Sequence, residues 1–216
     1  NYPLGKLYEG FTQHWRHYAR DGSIQILRVP LFVDHSQSMI QRSLNYLSFG
    51  LSAATARGFA RGADVIYVYA TQMTPAFGPW LWHLTGGAPY VLHVQDLWPD
   101  SITGSSMIGK VSAARAVDTV LTPWLTSTYR HAAAVIGIAP TMVKTLIERG
   151  APQERTYLVY NWAKEGSAPL GSGSSAKDPG EGTRIVYAGN VGDMQDLETA
   201  VRAAHLTNDA GIRLTI

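Results

Sequence analysis

Cysteine is absent from this 216-residue chain. That excludes a disulfide scaffold, a zinc–cysteine site and a cysteine nucleophile, and it fits a reducing compartment. No run of 18 apolar residues occurs, so no stretch is long enough to cross a membrane as a helix. No basic-then-apolar stretch opens the chain. Charge is sparse, at 16% of residues against 45% hydrophobic, which excludes a disordered, charge-dominated polymer. Also missing are a G-x-S-x-G nucleophile elbow, an H-E-x-x-H metal pair, a P-loop lysine and any 20–50-residue repeat. His14, His17 and His131 have no acidic partners at metal-ligand spacing, so no metal is expected. The chain starts at Asn1 and stops at Ile216 within an apolar run, and both ends read as cut.

What remains is a globular chain with a net charge of +2 that is unevenly spread. Residues 1–61 hold seven Lys/Arg and three Asp/Glu; residues 62–216 hold eleven and thirteen. The basic third also carries Tyr2, Tyr8, Phe11, Trp15 and Tyr18. Cations interleaved with aromatics suit an anionic partner such as a phospholipid surface or a pyrophosphate-linked substrate. The alternative is a solvated face with a few rings packed inward. No helix-turn-helix, zinc-finger or RRM-type pattern supports nucleic acid as a partner.

Short runs rich in Val, Ile and Tyr, bounded by Gly, Pro or Asp, predict strands over 23–29, 64–70, 90–94, 134–138, 156–160, 184–188 and 212–216. Helices are expected over 38–60, 75–85, 107–131, 140–149 and 195–207. In the first of these Ile40, Leu44, Leu47, Leu51 and Ala54 form one apolar stripe. Pro123 should break or kink the third. Pro140 at a first turn and Gly150 just past an end punctuate the fourth. Alternating strands and helices argue an α/β fold with doubly wound parallel sheets. The Gly/Ser/Pro-rich stretch 164–182 has no apolar period. It is expected to be a linker (165–182) between a domain over 1–164 and the start of a second over 183–216.

In open parallel sheets ligands bind beyond the carboxyl ends of strands, so three stretches draw attention. V-L-H-V-Q-D-L-W-P-D (91–100) runs from a strand into Gln95, Asp96, Trp98 and Asp100. Asp96 can accept hydrogen bonds from sugar hydroxyls or act as a base, and Trp98 can form an apolar wall. Equally, Asp96 or Asp100 can cap the next helix and Trp98 can fill the core. His93 reads as a core histidine. A-G-N-V-G-D-M-Q (188–195) places Gly189, Asn190 and Gly192 between a strand and a helix, where backbone amides suit a phosphate; an ordinary turn fits as well. Y-N-W (160–162) sets Asn161 at the crossing toward the linker, as a cleft residue or a packed hinge.

Three blocks in this order, N-Y-P-x-G-K (1–6), D-L-W-P-D-S (96–101) and Y-A-G-N-V-G-x-x-Q (187–195), resemble the family 4 retaining glycosyltransferases of the GT-B fold. The likeness is to the group that builds bacterial O-antigen, capsule and colanic acid. It is supported by L-N-Y-L-S-F-G-L-S-A (44–53) and by E-R-G-A-P-Q-E-R with Y-N-W (148–162). The resemblance implies two Rossmann-like sheets, both incomplete in this chain. It implies transfer of a hexosyl or N-acetylhexosaminyl group from a nucleotide diphosphate sugar to a lipid-linked or glycan acceptor, without a cofactor. The expected location is cytoplasmic, peripheral at the inner-membrane face.

In residue terms it implies Asp96 and Gln95 as catalytic, and Gly189, Asn190, Gly192 and Gln195 as donor-binding. Lys6, Trp98, Asp100 and Asn161 would belong to the acceptor side or cleft. Two departures stand out: Gln95 where many members have His, which puts a His-dependent step in doubt, and Tyr160 where Pro is usual. The family also begins with a strand and Gly-rich loop before the first block. It continues with a basic pair and paired glutamates for the donor, so this chain alone is not expected to be active. A GT-B epimerase and a non-catalytic binding module of an assembly complex are the alternatives.

Overall fold

The computed structural model describes residues 6–34, 39–100, 111–162, 183–189, 191, 195–207 and 211–216. They divide into two compact units, Asn1–Asn161 and Trp162–Ile216. The linker expected over 165–182 lies outside the described residues.

The first unit is built on a parallel sheet of β3 (Ile66–Ala70), β4 (Tyr90–Val94), β5 (Ala134–Gly137) and β6 (Thr156–Leu158), in the order β3-β4-β5-β6. All four strands stand where the Val/Ile/Tyr runs place them. Val68, Leu92 and Val135 pair across the sheet, as do Ala70, Val94 and Gly137. Paired residues share a face, and this face carries the core. Helix α2 (Phe77–Leu84), helix α3 (Val111–His131) and helix α4 (Pro140–Glu148) follow β3, β4 and β5 in turn. Of these, α3 and α4 supply Leu125, Tyr129 and Leu146 to that core. The buried Tyr90 hydroxyl donates to the Thr128 carbonyl at 2.6 Å and ties β4 to α3.

Pro123 does not break α3, which runs on to His131. Leu121, Trp124, Leu125 and Tyr129, on both sides of the proline, pack on the core. That burial outweighs the single backbone hydrogen bond a proline removes.

Two features depart from expectation. Residues Ile24–Arg28 (β2) are not in the parallel sheet. They pair antiparallel with β1 (His17–Asp21), through a two-residue turn with Gly22 at φ +56°. And helix α1 (Met39–Ala54) ends six residues early and turns its leucine stripe outward. Leu44, Leu47 and Leu51 are 47%, 53% and 59% exposed, while the side chain of Ile40 lies outside the described residues.

The covered face of α1 carries small and polar residues beside the half-buried Tyr46, which packs on the core. Asn45 Nδ2 donates to the Phe32 carbonyl at 2.6 Å, Ser48 Oγ accepts from the Phe32 amide at 2.7 Å, and Ser52 Oγ donates to the Pro30 carbonyl at 2.5 Å. Close approach sets the other contact. A Cβ on Gly50 would stand 2.8 Å from the Thr74 carbonyl oxygen, and one on Gly78 would stand 3.0 Å from Ala54 Cα. Trp82 Nε1 then donates to the Ala54 carbonyl at 2.9 Å. Close backbone approach at Gly50 and Gly78, the hydroxyl contacts and the core-packed Tyr46, not leucine periodicity, mark the face.

The second unit contains a β-α-β of β7 (Arg184–Val186), α5 (Leu197–Leu206) and β8 (Arg213–Thr215), with the two strands parallel. Asp196 starts α5 in the left-handed region, at φ +45°, and its carboxylate accepts from Thr199 Oγ1 at 2.8 Å.

Gly50→Ala should destabilise the protein by about 1–3 kcal/mol, because the added methyl meets backbone rather than a side chain that can move aside. Gly58→Ala, whose Cβ meets nothing within 4 Å, should change stability by less than about 0.5 kcal/mol. Urea unfolding of both variants checks the contrast.

Candidate functional site

Among the described residues, predicted polar residues converge at the carboxyl end of β4. The strand is buried along nearly its whole length, and the Gln95 amide still donates to the Ala70 carbonyl at 2.9 Å, extending the ladder past Val94. Beyond β6, the Val159 amide bonds the Gly137 carbonyl at 3.0 Å and holds the next residues against the sheet. This brings Asn161 to Gln95, 66 positions away: Asn161 Nδ2 donates to Gln95 Oε1 at 3.0 Å. Gln95 is only 9% exposed, and its Nε2 has no hydrogen-bond partner among the described residues.

Asp96 follows, exposed beyond the carboxyl end of this inner strand. The protein packed around its carboxyl strips part of its hydration and pushes its pKa above the ordinary carboxylate value. Below it, His93 is buried between the Tyr67 and Tyr69 rings, and its Nδ1 hydrogen-bonds the Tyr67 hydroxyl. Burial lowers the His93 pKa and so favours the neutral ring. It is a core histidine.

Trp98 is 6% exposed, belongs to the core and meets the Tyr46 ring at 6.1 Å. Its peptide bond to Pro99 is cis. Asp100 is ion-paired with Arg149 at 2.5 Å, and the same guanidinium donates to the Trp98 carbonyl at 2.8 Å. One side chain from the end of α4 thus fastens the loop after β4 at two points. Arg149, hydrogen-bonded to the Asp100 carboxylate itself, holds that carboxyl below the usual carboxylate range. Sequence reasoning missed Arg149, although its place just before Gly150 at φ +101° was visible.

The remaining residues are more scattered. Lys6 is exposed, ahead of the hairpin. In the second unit Gly189 is exposed just past β7, and Gln195 is exposed one residue before the N-cap of α5. Asn190 and Gly192 lie outside the described residues. A Cβ on Gly189 would stand 2.8 Å from the Tyr187 hydroxyl, the far end of a side chain that can move aside. Among the described residues no three His, Asp or Glu side chains gather as a metal site requires, and no helix is long and apolar enough to cross a membrane.

Arg149→Ala removes a charge-assisted hydrogen bond to a carbonyl and a largely exposed ion pair, and should cost about 1–2 kcal/mol at pH 7. Asp100 has a depressed pKa in the folded state. Its contribution is therefore present above the unfolded carboxylate value and lost as pH falls through the folded one. The gap between wild type and variant should narrow below about pH 4, but not close, since the bond to Trp98 does not titrate. Urea titrations at pH 7 and pH 3 read both effects.

Residues 9–162 match the glycosyl transferase 4-like domain family. The chain is also 27% identical, over 218 aligned positions, to the putative colanic acid biosynthesis glycosyl transferase WcaI of Escherichia coli. That alignment covers 96% of this chain and 53% of the relative, so the chain spans about half the length of the curated relative it matches. The parallel β-α-β order in both units agrees with the GT-B architecture, each sheet being present in part. With the matched segment running from before the hairpin to just past Asn161, the chain belongs to the glycosyl transferase 4-like domain family.

Proposed function

We propose that the protein carrying this chain is a retaining glycosyltransferase. It moves a hexosyl or N-acetylhexosaminyl group from a nucleotide diphosphate sugar to a lipid-linked or glycan acceptor in surface polysaccharide biosynthesis. The observation that carries the proposal is the end of β4. There a partly desolvated carboxylate, Asp96, follows directly on Gln95, whose buried Nε2 has no partner among the described residues, within a domain of this family. The curated relative is named for colanic acid biosynthesis, which supports surface polysaccharide as the product class.

In this reading Asp96 and Gln95 face the transferred sugar, and Asp96 accepts hydrogen bonds from its hydroxyls or takes a proton. Gly189, Asn190, Gly192 and Gln195 flank the donor diphosphate, where backbone amides ahead of a helix suit an anion. As phosphate charge develops on the leaving group, helix N-termini and basic side chains stabilise it. Lys6 and Asn161 lie on the acceptor side or cleft. Trp98 and Asp100 serve that cleft by anchoring its floor. The two-domain division, 1–164 and 183–216 joined by a linker over 165–182, belongs to the same proposal, as does inactivity of the chain by itself.

The basic third is the proposed contact with the inner-membrane surface, which makes the protein cytoplasmic and peripheral. Tyr8, Phe11, Trp15 and Tyr18 are all more than half exposed there. Arg16 is engaged with Thr55 Oγ1 at 2.5 Å, so Arg20 and Arg61 are the better probes.

In the full-length protein, Asp96→Ala should lower sugar transfer about 100-fold or more, the range for removing a positioned acid–base group. Turnover that survives the change would overturn the placement of Asp96. Because transfer needs the ionised form and its pKa is raised, activity should fall on acidification at a pH above that of an ordinary carboxylate; a kcat/KM profile reads the limb. Arg20→Glu with Arg61→Glu should reduce flotation with vesicles containing anionic phospholipid at low salt. Unchanged flotation would remove the membrane contact.

A further inference from the structure

We infer that Arg149 is a positioning residue: by gripping the main chain at Trp98 and the carboxylate of Asp100, it keeps Asp96 packed at the mouth of the sheet. The consequence for turnover rests on the glycosyl-transfer reading above; the placement of Asp96 does not.

Asp96 and Leu97 form a two-residue span between two fixed points. The near point is Gln95, whose amide donates to the Ala70 carbonyl at 2.9 Å. The far point is Trp98, 6% exposed, with its ring against Tyr46 and its carbonyl accepting from Arg149 Nη1 at 2.8 Å. Leu97 packs on the core in between. The same Nη1 lies 2.5 Å from Asp100 Oδ2. A nitrogen that meets both a main-chain carbonyl and a carboxylate resists displacement in two directions, and charge-assisted bonds are the stronger kind. A span tied at both ends leaves few paths to the residues between.

The grip comes from a base that is itself fixed. The Arg149 amide donates to the Thr145 carbonyl at 3.0 Å, and its carbonyl accepts from Thr126 Oγ1 at 3.1 Å. Gly150 then turns the chain at φ +101°, where a Cβ would stand 2.9 Å from Thr126 Cγ2. The titratable groups that act on the guanidinium are Asp100 in the loop and Tyr129 and Asp118 on α3. Arg149 is thus tied to α3 and to the end of α4, and the loop is tied to Arg149.

Asp96 shows the result. Burial is the cause of its raised pKa, with no contribution from Arg149. Arg149 therefore acts on it through the path of the loop and not through charge. The two routes have opposite signs. Removing a nearby cation raises a carboxyl pKa, whereas releasing the loop lets water reach the carboxylate and lowers it.

The test uses the full-length protein. NMR of isotope-labelled aspartate carboxyls follows Asp96 across pH, and turnover is measured with UDP- and GDP-linked hexoses. In Arg149→Ala the Asp96 pKa should fall toward the ordinary carboxylate value. Arg149→Met, which keeps an apolar stem and drops both bonds, should do the same. Trp82→Phe controls for lowered stability. It loses the bond to Ala54 in α2, which runs back toward the start of β4, and should leave Asp96 unchanged. In turnover, Arg149→Ala should lower kcat about tenfold with the donor KM changed less than about twofold, since the residue orients the carboxylate without touching substrate. The acid limb of its kcat/KM profile should move to lower pH. An Asp96 pKa that rises or stays put in both Arg149 variants, or falls as far in Trp82→Phe, would overturn the role of Arg149 and leave the transferase reading standing. A wild-type protein that turns over none of the hexoses would overturn that reading, while the Asp96 titration still decides the role of Arg149.

Discussion

Everything in the first unit hangs on β4 being paired along both edges and buried along nearly its whole length. Its backbone is committed to β3 on one side and β5 on the other. Tyr90, Leu92 and Val94 are fully enclosed. Such a strand has little freedom to slide, because a one-residue slip would carry its enclosed side chains to the other face. The residues immediately after it inherit that rigidity. Gln95 and Asp96 are held less by their own contacts than by the pairing of the five residues before them. This is why the polar groups of the site can sit at the mouth of a sheet and still be exactly placed.

Much of this was open to reading in the sequence. The four sheet strands are short β-branched and aromatic runs with turn residues at their ends, and each appears where the pattern puts it. The hairpin was half visible. Ile24–Arg28 has the apolar content of a strand, but its partner His17–Asp21 does not, and a polar, unpatterned strand leaves no periodic trace. The parallel β-α-β of the second unit follows from Arg184–Val186 and the amphipathic 197–206 segment.

Helix α1 shows where pattern fails. Its strongest periodic signal is the leucine row, and the packed side is the one holding Asn45, Ser48, Gly50 and Ser52 together with Tyr46. Periodicity counts apolar residues; it has no way to see that two backbones approach closely enough to exclude a Cβ, or that a neighbouring segment offers carbonyls for a row of side-chain donors to reach. The Gln95–Asn161 contact escaped notice for a different reason. It depends on the lateral order of β4, β5 and β6, which is a property of the assembled sheet and not of any local stretch. Arg149 escaped likewise: its helix is obvious, but its target is a loop fifty residues earlier.

That last contact has an implication for transplantation. The 91–100 stretch looks like a self-sufficient module, a strand followed by a compact polar loop, of the kind that is moved between scaffolds. It is not self-sufficient. Its carbonyl at Trp98 and its carboxylate at Asp100 are both gripped by Arg149, and its tryptophan rests on Tyr46. A graft that kept the ten residues and left behind the end of α4 would copy the letters of the loop without the two fastenings that give it a shape.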